Sequence, residues 1–150
     1  MSAELAEHWS YLDAQWRAAQ TAPLSRRRAY LVVYLIDAYV DRLFALSGKE
    51  DVLAFRAELI ARNDALAIVR ALAGQRNGGP RLEVQTVQVP LEQYGQLSVE
   101  DFMVSLYNDH SVPRLMIVGA DGGPELAHPV LAAAIERLAQ VQATSGAELP

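Results

Sequence analysis

Leu5, Trp9, Leu12, Trp16 and Ala19 recur at alternating steps of four and three, the period of an amphipathic helix, so both indoles share one stripe. The spacing predicts a first helix from Leu5 to Ala19, with the indoles packed on a core or offered to a partner. Thr21-Ala22-Pro23 interrupts it, because the residue before proline is pushed out of the helical region. From Arg26 to Leu46 two periods compete. Tyr30 to Ile36 is rich in β-branched and aromatic residues, as a buried strand would be. Yet Arg26, Tyr30, Tyr34, Asp37 and Asp41 form one continuous polar stripe at helical steps, while Val33, Ile36, Val40, Leu43 and Phe44 lie away from it. A helix explains the aspartates and a strand does not, so a second helix is expected here.

Gly48 supplies a left-handed stop, and Ser47 with Glu50 has capping-box spacing for a third helix carrying Val52, Phe55 and Leu59. Asn63-Asp64 is a possible break, after which Leu66, Val69 and Leu72 resume the period as far as Gly74. Gln75 to Pro80 is loop composition. Leu82 to Val89 then reads as a strand whose apolar parity changes between Val84 and Val87, which a β-bulge near Gln85 would produce. Ser98 caps a helix with Val99, Phe102, Met103 and Leu106 on one face, and Pro113 opens a strand over Arg114 to Val118. Strand, helix and strand at this spacing imply a parallel crossover. After the turn from Ala120 to Pro124, Pro129 starts a last helix with Leu131, Ala134, Ile135 and Leu138 inward.

The expected fold class is therefore α+β and helix-rich: three to four N-terminal helices, then β-α-β-α with a small, mainly parallel sheet. One domain is expected, with a helical half at 1–74, a mixed half at 80–143 and a frayed tail at 144–150. Ser111-Val112-Pro113 ahead of an apolar strand, followed by the Asp121-Gly122 turn and a terminal amphipathic helix, resembles the last third of a thioredoxin-like domain. The resemblance covers about forty residues and implies an α/β alternative in which Tyr30 to Ile36 is the first strand. The paired cysteines of that family are absent.

Composition mostly subtracts. With no cysteine in 150 residues, disulfides, thiolate nucleophiles and Cys-based zinc sites are excluded. Lys49 is the only lysine, and its Ser-Gly-Lys-Glu context reads as a helix start. The acidic N-terminal stretch does not read as a secretory signal and the apolar run from Ala29 to Ile36 is too short to span a bilayer, so a cytoplasmic protein without membrane contact is expected. The net charge of −5 is uneven: residues 1–74 balance nine basic against nine acidic side chains, whereas 75–150 hold four against nine. Arg26-Arg27-Arg28 is the one basic cluster, and on a helix its members point in three directions, so no nucleic-acid partner is expected.

Candidate chemistry is sparse. His8, His110 and His128 have no ligand-like spacing, so no metal site is expected, nor a cofactor. Neither Gly78-Gly79 nor Gly122-Gly123 opens a phosphate loop, and no serine sits in a nucleophile elbow, so no catalytic set is assigned. The leading expectation is a non-catalytic protein–protein interaction or accessory module, self-associating, with Tyr30, Tyr34, Asp37 and Asp41 as interaction surface. Helix two is apolar around most of its circumference and so demands central burial or a partner, and the acidic second half favours a basic one. The alternative is a small-molecule binder or small hydrolytic enzyme using Asn108, Asp109, His110 and Asp121, where His beside Asp resembles a base with its orienting group.

Overall fold

The computed structural model describes residues 3–61, 64–120 and 123–148. Helix α1 (Ala3–Thr21) and helix α2 (Arg26–Ser47) pack side by side, joined by the Ala22-Pro23 turn. Ser25 caps α2 by accepting from the Arg28 amide, and Gly48 ends it at φ +74°. The whole segment that had two competing periods is one helix. Its buried side chains Ala29, Val32, Val33, Ile36, Tyr39 and Val40 follow the helical period, and the thioredoxin-like alternative, which needs Tyr30 to Ile36 extended, falls with that.

Helix α3 (Val52–Ile60) is capped by Asp51, whose carboxylate accepts from the amides of Leu53 and Ala54. This replaces the expected box of Ser47 and Glu50: the Ser47 hydroxyl instead turns back to the Phe44 carbonyl at 2.6 Å. Helix α4 (Asp64–Gly74) brings Leu66, Val69 and Leu72 against α2, and the Asn63 half of the expected break lies outside the described residues. Helix α6 (Ala127–Glu148) closes the core with Leu131, Ala134 and Leu138 and runs past Ala143, where the apolar period ends. The centre of the molecule is thus α2, surrounded by α1, α3, α4, α6 and one sheet strand.

The sheet overturns the expected topology. Strand β1 (Arg81–Gln88) pairs antiparallel with β2 (Ser111–Val118), and β2 pairs antiparallel with the two-residue β3 (Glu125–Leu126), in the order β1-β2-β3. Between β1 and β2 lie a 3-10 turn (Leu91–Gln96) and helix α5 (Val99–Tyr107). A parallel crossover must carry the chain back along the whole strand, about 26 Å for eight residues; here Gln88 stands opposite Ser111, so the connection makes no such return. The chain reverses instead at the end where β1 stopped. Asp109 (φ +52°) and His110 (φ +62°) are both left-handed, the His110 amide donates to the Ser105 carbonyl, and the Val89 amide donates to the His110 carbonyl. The first of these bonds is the six-to-one closure of a Schellman helix end, with aspartate where glycine is usual.

The β-bulge is absent. Register runs unbroken from Arg81 opposite Val118 to Gln88 opposite Ser111. Apolar parity changes for another reason, namely that the two faces of the hairpin are covered at different ends. Leu82, opposite Ile117, faces the helices and joins their core, while Val87, opposite fully buried Val112, faces the other way into a hollow shared with Val89 and Leu97. Val84, between them on the helix-facing side, is exposed.

Candidate functional site

Much of the polar stripe of α2 bonds within the protein, while Tyr34 and the Asp41 side chain remain 41 and 61% exposed. The Leu82 amide donates to the Tyr30 hydroxyl at 3.0 Å, and Gln75 donates to the Tyr34 hydroxyl, which ties α2 to the loop before β1 and to β1 itself. Asp37 accepts from Arg56 of α3 at 3.1 Å and from Arg70 of α4 at 2.8 Å, and Asp41 accepts from Arg56 at 2.6 Å. Arg56 and Asp37 keep only 12% and 14% of their side-chain surface in water. The expected interaction surface therefore holds α3, α4 and β1 to the central helix.

Of the four expected ligand-binding residues, three form the reversal into β2. Asn108 caps the C-terminus of α5 and its carbonyl accepts from the Ser111 amide, Asp109 and His110 make the left-handed turn, and His110 Nδ1 is hydrogen-bonded to the Tyr94 hydroxyl. All three are exposed. Asp121 lies outside the described residues. Adjacent Asp109 and His110 are not a base with its orienting group, since the polar partner of the imidazole is Tyr94.

A groove of about 800 Å³ lies elsewhere, between the α1–α2 turn, the first half of α5, β2 and the start of α6. Leu24, Val104, Leu115 and Leu126 give it apolar walls, and Asp101 and Arg114 pair within it at 3.1 Å. His128 Nε2 is 3.1 Å from the Pro23 carbonyl, and burial holds this imidazole below its usual pKa, partly opposed by that carbonyl. Ser25 and Ser98 also line the groove, but both hydroxyls are engaged as helix caps. Among the described residues neither hydroxyl is hydrogen-bonded to His128. Among the described residues no three of His, Asp and Glu stand together as metal ligands, and no helix is long and apolar enough to cross a membrane.

Helix α5 is turned inside out. Val99, Phe102, Met103, Leu106 and Tyr107 occupy one stripe at helical spacing and are exposed by 82, 40, 48, 55 and 83%. The opposite face carries Asp101, Val104 and Ser105, and this is the side turned to β2 and the groove, with Ser105 fully buried. Ser105 meets its burial by donating to the Phe102 carbonyl at 2.7 Å. Tyr94 from the 3-10 turn reaches the rim of the stripe, edge-on to Phe102 at 6.1 Å between centroids. The sequence had shown that Val99, Phe102, Met103 and Leu106 share a face, and this grouping was the available signal; the direction of the face was not. No protein-family model, curated protein or solved structure matches the chain.

Proposed function

We propose that the chain is a non-catalytic protein-interaction module and that α5 is its docking element, receiving a helix of another polypeptide. Most of the apolar circumference of α2 lies within the core, with Leu31 and Leu46 left exposed. What supports the reading is α5, which directs its apolar stripe outward and its polar and small residues inward. Surface hydrophobes scattered singly are ordinary, but five on one helical stripe are the anchor pattern of helix-on-helix recognition. The Asp51 and Ser98 caps and the α2 ion-pair cluster would keep the scaffold rigid beneath that element.

The test separates a free face from a packed one. Leu106→Ser and Tyr107→Ser are expected to change unfolding free energy by less than about 0.5 kcal/mol each, as surface substitutions do. A photo-crosslinker at Met103 is expected to join a discrete partner in the source cells, and that partner, purified, should bind the wild-type chain and not the Leu106→Ser variant. Destabilisation by about 2–5 kcal/mol, the range for emptying a core position, would show that α5 packs its stripe within the fold, against the reading.

A further inference from the structure

The chain's charge is concentrated around α5. From Leu82 to Pro113 there are five carboxylates, Glu83, Glu92, Glu100, Asp101 and Asp109, and no lysine or arginine, so this stretch alone holds a formal −5, the entire net charge of the protein. Two of the five are neutralised: Glu83 by Arg81 at 2.8 Å and Asp101 by Arg114 at 3.1 Å. Glu92, Glu100 and Asp109 are exposed and have no ion-pair partner among the described residues. They lie at the two ends of the helix and in the neighbouring 3-10 turn. Glu100 stands in the first turn of α5 beside Val99, Asp109 follows the last turn, and Glu92 belongs to the 3-10 turn whose Tyr94 abuts Phe102.

That rim decides between occupants. A second copy meeting α5 about a two-fold axis would set the same three carboxylates against themselves, and like charges facing across an interface disfavour it. The stripe is also short. A helix about 13 Å long does not by itself supply the roughly 800 Å² per partner of a stable complex, so apolar anchors would give contact and rim charge would select the partner. Resting on the docking reading above, we infer that the occupant of the α5 face is an amphipathic helix of another protein whose apolar stripe is flanked by lysine and arginine.

Four designed helical peptides test this against the full chain by fluorescence anisotropy. Three share one leucine stripe and carry Lys/Arg, Gln or Glu flanks, and the fourth has the Lys/Arg composition with its stripe scrambled. The Lys/Arg peptide is expected to bind about tenfold or more tighter than the Gln peptide at low salt, because complementary rim charge adds to the shared anchors. The margin should vanish near 1 M salt, where the screening length is about 3 Å. It should vanish equally in Glu92→Gln/Glu100→Gln/Asp109→Asn, which leaves the stripe intact, while Leu106→Ser should weaken the Lys/Arg and Gln peptides alike. Equal binding of the Lys/Arg, Gln and Glu peptides would overturn the basic flank and leave α5 as a docking face. A scrambled peptide that binds as well as its parent would overturn the amphipathic occupant, since charge alone would account for it. A dimer in sedimentation that Leu106→Ser dissolves would overturn the choice of a foreign chain. Binding by none of the peptides to a monomeric protein would remove the docking reading together with the inference.

Discussion

Asp37→Ala is expected to cost far more stability than Arg70→Ala, because of where its two ion pairs end. One arm goes to Arg70, whose side chain is 55% exposed, and such a pair contributes no more than about 1 kcal/mol. The other goes to Arg56, a guanidinium nearly out of water. Removing a buried charge's partner typically costs about 3–5 kcal/mol, but Arg56 keeps its 2.6 Å contact with the more exposed Asp41, which brings the expectation down to about 2–3 kcal/mol. Urea unfolding followed by circular dichroism reads this directly. With a slope of about 1–3 kcal/mol per molar, the midpoint should fall by about 0.7–3 M. Arg70→Ala should move it by less than half as much. Replacing both buried partners, Asp37→Leu with Arg56→Met, should recover most of the loss, since it leaves no charge unpaired in the interior. If Asp37→Ala cost no more than Arg70→Ala, the cluster would not be holding α3 and α4 to α2, and the stripe would again be available to a partner.

Three further outcomes follow from backbone geometry and burial. Gly119→Ala should destabilise by more than about 2 kcal/mol in the same urea assay, because φ is +83° and a Cβ would stand 2.9 Å from the Gly79 carbonyl oxygen; a neutral result would refute the close approach. Asp109→Gly should stabilise by up to about 1 kcal/mol in thermal or urea unfolding, since it relieves a left-handed φ of +52° at the α5 terminus, and a loss of stability would mean that the carboxylate makes a contact worth more than the strain. His128 is held below its usual pKa by burial, so above about pH 6.5 it is neutral folded and unfolded alike, and as pH falls toward the folded value only the unfolded chain takes up the proton. Stability should therefore drop more on acidification from about pH 7.5 to 5.5 in wild type than in His128→Gln, and the opposite ranking of the two urea midpoints would refute the assignment.

How far the fold could be read depended on whether the deciding information was local. Arg26 to Leu46 was legible as a helix because its polar stripe persists over about four turns, and tertiary packing then used the face that the period had set aside: Val33, Ile36 and Val40 are buried. The strands themselves were legible from β-branched runs, but their direction was not. That depends on whether α5 carries the chain across the sheet or back to its starting end, and the residues that decide it, Asp109 and His110, signalled a left-handed reversal no more strongly than they signalled chemistry. Their adjacency looked like an acid–base pair because composition does not record φ. The parity change in β1 was equally ambiguous. One inserted residue, or burial of opposite faces at opposite ends, leaves the same pattern in one strand, and only the register with β2 separates them.

The same distinction hides the facing of α5 from the sequence. A helical stripe of Val99, Phe102, Met103 and Leu106 announces two unlike faces, but the facing direction of an amphipathic helix belongs to its surroundings and not to its own sequence. Here the inner position beside β2 is claimed by the Asp101–Arg114 ion pair and by Ser105, whose hydroxyl is satisfied within the helix and so enters the interior without an unmet hydrogen bond. Because the left-handed pair at Asp109 and His110 fixes where α5 ends relative to β2, it also fixes which side of the helix can meet the sheet. The Asp109–His110 turn thus closes the helix whose apolar stripe is left outward, next to carboxylates that have no ion-pair partner among the described residues.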